Sequence, residues 1–214
     1  MIVPKSYKSK GVVLSLCDYT GNMVAPWLED GYECWIVDTR HEPGVHRQGR
    51  LVKVGADILT WMPPRHLDYR AVFAFPPCTH LAISGARWYK DKGLAKLIEG
   101  LTLVERTRVL CEWSGAPWML ENPVGQLSTY WRKPDFYFNP NEYAGWLGDD
   151  SESEAFTKRT CIWSGGGFQE PVKKEVPIRE GNNPIHYAAP GPDRGDRRSA
   201  TPRGFARAVF EANA

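Results

Sequence analysis

Two short stretches, each at the end of an apolar run, carry residue types that can do covalent chemistry. "FPPC" ends at Cys78 after the run at residues 71–75, and "ENP" begins at Glu121 after "WML". Two prolines fix the backbone before the thiol and cannot donate to a sheet, so the loop presents the next side chain. A thiol held in this way is a candidate nucleophile. Glu121 enters a cleft where desolvation raises its pKa, which makes it a candidate proton donor.

Acidic residues follow three further apolar runs. Asp18 stands in "CDYTGN", Asp38 ends the run at residues 32–38, and Asp57 follows the short run at residues 52–54. In α/β folds an acid at the second strand end binds ribose hydroxyls, which predicts this role for Asp38, and Asp57 could accept from an adenine amino group. "CDYTGN" lacks the G-x-G-x-x-G pattern of dinucleotide sites. The acids therefore indicate an adenosine-containing cofactor other than the usual dinucleotides.

The elements that position these residues alternate along the chain. Strands are predicted at residues 11–16, 32–38, 52–54, 71–75, 117–123, 136–138 and 157–165. Helices are predicted at residues 23–31, at residues 94–113 and after Thr201, which suits the N-cap, with Pro202 at the first helical position. Such alternation predicts an α/β fold, a mostly parallel doubly wound sheet with helices on both faces. Ligands of such sheets bind at the carboxyl ends of the strands, where the five polar strand exits meet.

Length and composition bound the remaining possibilities. With 214 residues the chain is expected to form one domain, 1–214, with a basic segment at 1–10, loop-rich insertions at 126–156 and 164–200, and a closing helix at 201–214. Its five cysteines form no C-x-x-C pair, and no signal peptide or membrane-spanning run is evident, which predicts reduced thiols in a cytoplasmic protein without a membrane partner. No zinc spacing occurs, so no metal is expected. The oligomeric state is left open.

The quoted motifs, in order from Val12 to Trp163, resemble the DNA (cytosine-5) methyltransferase family, in the compact form found in bacteriophage genomes. "VLSLCDYTGN" is similar to that family's first motif, "VD" to its second, and "GADI" to its Gly-Asp-Ile stretch at the adenine. "FPPCTHLAISG" resembles the nucleophile loop, "ENP" the Glu-Asn motif, and "TKRTCIW" the basic strand motif. The resemblance implies a Rossmann-like S-adenosylmethionine-dependent methyltransferase fold.

The resemblance also implies a reaction and its residues. Cys78 would add to C6 of cytosine in DNA while Glu121 protonates or hydrogen-bonds N3, and C5 would then receive a methyl group from S-adenosylmethionine. Asn122 would orient the loop and Glu121, and Arg159 matches the first arginine of the basic motif. The implied cofactor contacts are Asp18, Tyr19, Thr20, Gly21, Asp38, Asp57, Ile58, Pro76, Ser199 and Thr201. The implied substrate contacts are Pro77, Ser84, Pro123 and Lys158.

Three departures from the family pattern leave the substrate open. Tyr19 replaces the earlier of two glycines, Cys161 falls where the second arginine stands, and only a few dozen residues lie where the family has a separate recognition domain. The net charge of +2 does not single out a polyanionic partner. A DNA duplex with a flipped base, single-stranded DNA, a free nucleotide such as dCMP, and a catalytically weak nucleic-acid-binding homologue all stay open.

Overall fold

The computed structural model describes residues 9–178 and 199–214, and a seven-stranded sheet forms its centre. The strands are β1 (Val12–Leu16), β2 (Glu33–Gln48), β3 (Leu51–Gly55), β4 (Tyr69–Ala74), β5 (Trp118–Pro123), β6 (Phe136–Phe138) and β7 (Thr160–Gly165). Their order is β3-β2-β1-β4-β5-β7-β6. β1 pairs in parallel with β2 and β4, and β5 in parallel with β4, whereas β7 is antiparallel to β5 and β6. This confirms the predicted α/β fold class, with a mostly parallel, Rossmann-like sheet.

Helices cover both faces of this sheet. They are α1 (Ala25–Glu29), α2 (Tyr89–Trp113), α3 (Leu127–Tyr130) and α4 (Arg203–Asn213). One core joins Val104 and Leu110 of α2 to the side chains of one sheet face. A second core on the opposite face contains Trp27 of α1 and Phe205 of α4. β1 is buried along its whole length because it lies between these two layers.

β2 is longer than the sequence predicts. The strand was expected to end at Asp38, but the chain continues and turns back, so that Val45 lies opposite Val54 and Gln48 opposite Leu51 in reverse register. The crossing passes so close to Gly55 that a Cβ there would lie 2.0 Å from the carbonyl oxygen of Glu42. The returning segment pairs with the same strand as the parallel part of β2, which protects backbone groups that an edge strand would expose.

The helices α2 and α4 begin where they do for different reasons. Gly93, with φ of 70°, interrupts α2, so its regular part begins where the prediction placed the helix start. The predicted cap of α4 is wrong by one residue, since Pro202 takes the N-cap position and offers no side-chain hydrogen bond. The carboxylate of Glu154 instead accepts from the backbone N–H groups of Arg203 at 2.6 Å and Gly204 at 2.9 Å. A residue distant in sequence therefore caps this helix.

The segment 126–156, predicted to be mostly loop, is more regular than expected. It holds α3, β6 and two 3-10 helices, Pro140–Glu142 and Ala144–Glu154. A capping box between Asn139 and Glu142 starts the first of the 3-10 helices. Most of the predicted 164–200 insertion, residues 179–198, and residues 1–8 of the N-terminal segment lie outside the described residues. The assignment of 1–214 to one domain stays a prediction.

Candidate functional site

The carboxyl ends of β1, β2 and β3 bring three acidic side chains together. Cys17 follows β1 directly, and its pKa is raised to about 12, mostly by burial and then by the charges of Asp38, Asp57 and Asp18. Because the charges of all three carboxylates act on this thiol, it must lie close to them. The sequence prediction that these acids share one edge of the sheet therefore holds in the structure, and Cys17 itself is a neutral thiol at physiological pH.

The turn after β1 is organised by Asp18. Its buried carboxylate accepts from the Ser15 hydroxyl at 2.7 Å and from the backbone N–H of Gly21 at 2.8 Å. Gly21 has φ of 71°, a left-handed conformation that favours glycine. The side-chain amide of Asn22 donates to the carbonyl of Thr201 at 3.2 Å, so the start of α4 lies against this turn. Asp18, Gly21 and Thr201, all expected at the cofactor, are thus neighbours.

Tyr19, which replaces a glycine of the family motif, lies on the surface of this region. Its ring stacks on His41 with centroids 5.2 Å apart, and the guanidinium of Arg40 lies 4.2 Å from its centroid. Arg40 also donates from Nε to Asp38 Oδ1 at 3.2 Å. The acid expected to bind ribose is therefore already paired. Sequence reasoning missed Arg40 and His41, although a cation two residues after a strand-end acid was a visible signal.

The other expected cofactor contacts differ in their exposure. Asp57 is exposed, and its Oδ1 accepts from the backbone N–H of Leu59 at 2.9 Å. Ile58 is buried in the core, where its carbonyl accepts from Arg106 at 2.9 Å. Thr20 and Ser199 are exposed. Among these residues, only the acid has a side chain that combines charge with access to solvent.

The nucleophile loop and the end of β5 are joined by a buried hydrogen bond. The side-chain amide of Asn122, 1% exposed, donates from Nδ2 to the carbonyl of Pro76 at 2.9 Å. Residues 121–123 extend beyond β4, whose last residue Ala74 pairs with Leu120. Cys78 is half-buried, between the exposed Pro77 and the exposed Thr79. Cys78 is therefore partly exposed, and its loop is attached to the strand end that carries Glu121.

Backbone contacts fasten the far side of the same loop. The Cys78 carbonyl accepts from the N–H groups of Leu81 and Ala82, each at 2.9 Å. Gln126 donates back to Leu81 at 2.9 Å, and a Cβ on Gly125 would lie 2.1 Å from that same Leu81 carbonyl oxygen. Only glycine permits this approach, and Gly125 is a further residue that the sequence reading missed. The two chain segments after β4 and β5 are thus held together on both sides of Cys78.

Glu121 lies in an environment that favours its protonated form. Burial raises the pKa of this carboxyl, and the charge of Lys158 lowers it by a smaller amount. A carboxyl that keeps its proton to higher pH can donate to a ring nitrogen near neutrality. The cation that acts on Glu121 is therefore Lys158, which the sequence reading had placed among the substrate contacts.

The basic strand motif is arranged differently from the family pattern. Arg159 is exposed, and its guanidinium lies 4.5 Å from the ring centroid of Tyr137 on β6. Cys161, at the position of the family's second arginine, is buried opposite Asn122, and burial raises its pKa to about 11. Pro123 lies opposite Thr160 of β7, and Ser84 is exposed in the 3-10 helix Ile83–Trp88. Lys158 and Arg159 thus flank the site while Cys161 belongs to the core.

Three further observations concern ions, thiols and membranes. Within residues 9–178 and 199–214, no group of three or more His, Cys, Asp or Glu side chains is arranged to hold a metal ion. None of the five cysteines, all of which lie in the described residues, forms a disulfide. In the same part of the chain, none of the helices has the length and apolar character needed to cross a membrane.

Comparisons with known proteins find only weak structural likenesses. No protein-family model and no curated protein matches the chain. The glycopeptide N-methyltransferase MtfA with S-adenosylhomocysteine is 14% identical over 62% of this chain and 52% of its own, with a TM-score of 0.32. The CcbJ methyltransferase from Streptomyces caelestis is 16% identical over 62% and 51%, also with a TM-score of 0.32. This chain thus spans about half the length of these two proteins. Similarity at this level carries no argument about function, and the fold class rests on the sheet order.

Proposed function

We propose that this protein is an S-adenosylmethionine-dependent methyltransferase that acts on C5 of cytosine in DNA through a covalent adduct with Cys78. The observation that carries the proposal is the buried hydrogen bond from Asn122 to Pro76. It ties the loop of a partly exposed cysteine to the strand end of a carboxyl whose pKa is raised. A nucleophile and an acid held on neighbouring strand ends are the two groups that addition to a pyrimidine requires.

The residues of the chain account for the activation of the base. As the Cys78 sulfur bonds to C6, the C5=C6 electron pair shifts to C4=C5, and the C4=N3 pair moves to N3. N3 takes the proton of Glu121. The result is an enamine in which C5 is nucleophilic. As the C4=C5 pair bonds to the methyl group, C4=N3 forms again and N3 returns its proton to Glu121. A base then removes the C5 proton, that electron pair forms C5=C6, and the S–C6 bond breaks to release Cys78 as a thiolate.

The ends of β1–β3 fit an adenosine-containing cofactor. Asp18 holds a tight turn with a left-handed Gly21, and Asp38 and Asp57 lie at the next two strand ends. The ring of Tyr19 is stacked against His41 and leaves the turn around Gly21 intact. We assign Asp38 to the ribose hydroxyls and Asp57 to the adenine amino group. When bound, S-adenosylmethionine supplies an electrophilic methyl group.

Methyl transfer from the labelled cofactor, followed by nucleoside analysis, tests the proposal and its alternative. We expect 5-methylcytosine in DNA. The second candidate substrate is a free nucleotide such as dCMP. It is favoured by the net charge of +2, which does not single out a polyanionic partner. In the described residues after β7, the backbone N–H groups of residues 174 and 176 donate to the carbonyls of Glu142 and Asn141. Competition between DNA and dCMP in one reaction separates the two substrates. No labelled product from either would contradict the proposal and leave a binding protein.

A mechanism-based trap tests the nucleophile. DNA that contains 5-fluorocytosine has no removable proton at C5, so the adduct with the enzyme persists after methyl transfer. We expect a denaturation-resistant complex with the wild type and none with Cys78→Ser, while binding of S-adenosylhomocysteine is unchanged. Cys17→Ser is the matched control, because the pKa of that thiol is about 12 and it lies at another strand end. An adduct that survives in Cys78→Ser would place the nucleophile elsewhere.

A further inference from the structure

A separate cleft lies beside the nucleophile loop, between α2 and α3. Its volume is about 330 Å³, and its walls include Lys90, Lys92, Lys96, Tyr89, Gln126 and Tyr130. None of these residues has a part in the chemistry proposed above. The volume is at the lower end of the range for ligand pockets, enough for one nucleotide unit and too small for a double helix.

The walls of this cleft are continuous with the loop of Cys78. The Tyr89 hydroxyl lies 2.7 Å from the carbonyl oxygens of Leu81 and Ala82, to one of which it donates. The ammonium group of Lys92 donates to the carbonyl of Thr79 at 2.6 Å. The contacted carbonyls begin one residue after Cys78. A polymer with one unit at the thiol can therefore place an adjacent unit in this cleft.

The charge around the cleft favours an anionic ligand. Residues 87–96 contain four basic side chains and one acidic one. Lys92 is engaged by the loop, and Lys96 forms a surface ion pair with Glu99 at 2.6 Å, which contributes little stability and can exchange. In the part of the chain that the structure describes, Lys90 is exposed and forms no ion pair or hydrogen bond. Two ammonium groups are thus available to phosphates.

Exposed aromatic rings accompany these charges. Tyr130 in the wall is 55% exposed, and Trp88, next to Tyr89 in sequence, is 51% exposed with the Arg87 guanidinium 5.1 Å from its ring centroid. Large rings are costly to leave in water, and exposed rings beside cations are the means by which proteins bind single-stranded nucleic acid. Cations alone would suit any polyanion, but cations with exposed rings favour one that also carries bases.

We infer that this cleft binds the nucleotide next to the target cytosine in a single DNA strand. Lys90 and Lys96 contact its phosphates, and Tyr130 stacks on its base. The inference rests on the proposed function, because it takes Cys78 as the position of the target base. It gives the chain a means of holding DNA through contacts that depend on charge and stacking and are tolerant of sequence.

Binding of a fluorescent oligo-dT, which contains no cytosine, tests the cleft without any methyl transfer. For single strands the slope of log K against log salt is about −0.7 per phosphate contact, so Lys90→Ala/Lys96→Ala should make it shallower by about 1.4. Tyr130→Ala should weaken binding about tenfold, since one base stack contributes about 1–3 kcal/mol. Lys53→Ala/Lys173→Ala removes the same charge far from the cleft in sequence and should keep the wild-type slope. Thermal unfolding checks that each variant is folded.

The outcomes separate this inference from the proposed function. A wild-type slope in Lys90→Ala/Lys96→Ala, or an equal change in the control variant, overturns the inference. Preferred binding of a DNA hairpin duplex, with the same slope change, overturns the assignment to a single strand. With an oligonucleotide that contains cytosine, we expect the KM of Lys90→Ala/Lys96→Ala to rise at least tenfold. An unchanged KM with normal methyl transfer contradicts the inference alone, whereas no transfer by the wild type to any cytosine substrate contradicts the proposed function.

Discussion

The two halves of the sheet's carboxyl edge are held in different ways. In the thiol half, at the ends of β4 and β5, the buried amide of Asn122 and a set of backbone hydrogen bonds fix the loop of Cys78. In the acidic half, at the ends of β1–β3, the exposed side chains of Arg40 and Tyr19 cover Asp38 by an ion pair and a stacking contact. The loop of Cys78 is therefore held by buried contacts, whereas Asp38 is covered by side chains at the surface.

This difference indicates which half of the edge is preorganised for its ligand. A buried hydrogen bond without access to water is costly to break, so the thiol half is preorganised. The Arg40 side chain is 46% exposed and its charge is screened by salt, so this side chain can move aside when a ligand reaches Asp38. We expect substitutions in the thiol half to change turnover and substitutions in the acidic half to change cofactor affinity.

The largest expected effect comes from Glu121→Gln in the thiol half. Turnover should fall at least a hundredfold, because general acid catalysis contributes about 10²–10⁴-fold and glutamine has no proton of that acidity to give. Methyl transfer at saturating cofactor and DNA measures this loss. Glu175→Gln serves as the control, because Glu175 is exposed and lies far in sequence from Cys78 and Glu121. Turnover within a few-fold of the wild type would contradict the role of Glu121 as the proton donor of the thiol half.

The same substitution should have an opposite effect on stability. The pKa of Glu121 is raised in the folded state by burial, so its contribution to stability is complete below the unfolded pKa and is lost as pH rises through the folded pKa. Glutamine does not titrate. Glu121→Gln should therefore melt above the wild type at pH 8, and by less at pH 5. A difference that does not change with pH would contradict the assigned burial of this charge.

Asp38→Ala should separate the acidic half from the thiol half. Affinity for S-adenosylhomocysteine should fall about tenfold or more, because hydrogen bonds to a charged acceptor contribute roughly 1.5–3 kcal/mol. Calorimetry measures the affinity, with Asp68→Ala as a control at an exposed acid outside the site. The 5-fluorocytosine adduct should return at high cofactor concentration in Asp38→Ala. Loss of the adduct at every concentration would show that the two halves cannot be separated.

Glu154→Ala should weaken the support of the acidic half. Two backbone N–H groups of α4 lose their acceptor, and loss of a helix cap costs about 0.5–2 kcal/mol. Because Thr201 lies beside Asn22, cofactor affinity should fall a few-fold while turnover at saturation is kept. Chemical denaturation and calorimetry measure the two effects. Asp149→Ala, exposed on the same 3-10 helix, should leave both unchanged.

The smallest effect is expected from Lys158→Met, which tests how the charge of Lys158 acts on Glu121 in the thiol half. Lys158 lowers the pKa of Glu121, so its removal lets the carboxyl keep its proton to higher pH. Turnover should then persist to higher pH before it declines, without a change at the optimum beyond a few-fold. Arg159→Met should not move this decline, since that guanidinium lies over Tyr137. A decline at lower pH in Lys158→Met would reverse the assigned sign.

The chain's local pattern was enough to predict the parallel strands and the polar residues at their ends. Apolar runs indicate where the strands lie, and parallel strands bring their carboxyl ends to one edge of the sheet. The sequence alone therefore predicts that the residues at these ends lie along one edge, namely Asp18, Asp38, Asp57, Cys78 and Glu121. The strand predicted at residues 136–138 is observed as β6, Phe136–Phe138. These features depend on neighbours in sequence, which is why they could be read from it.

The tertiary structure decided how those residues are held. The return of the chain after Asp38, the contact of Arg40 with Tyr19, the cap of α4 by Glu154 and the approach permitted by Gly125 all join segments or side chains whose meeting no local pattern encodes. The same holds for the pKa of Glu121, because burial depends on everything packed around the carboxyl. Sequence specifies residue types and periods, whereas distances between remote segments and desolvation arise only when the chain is packed.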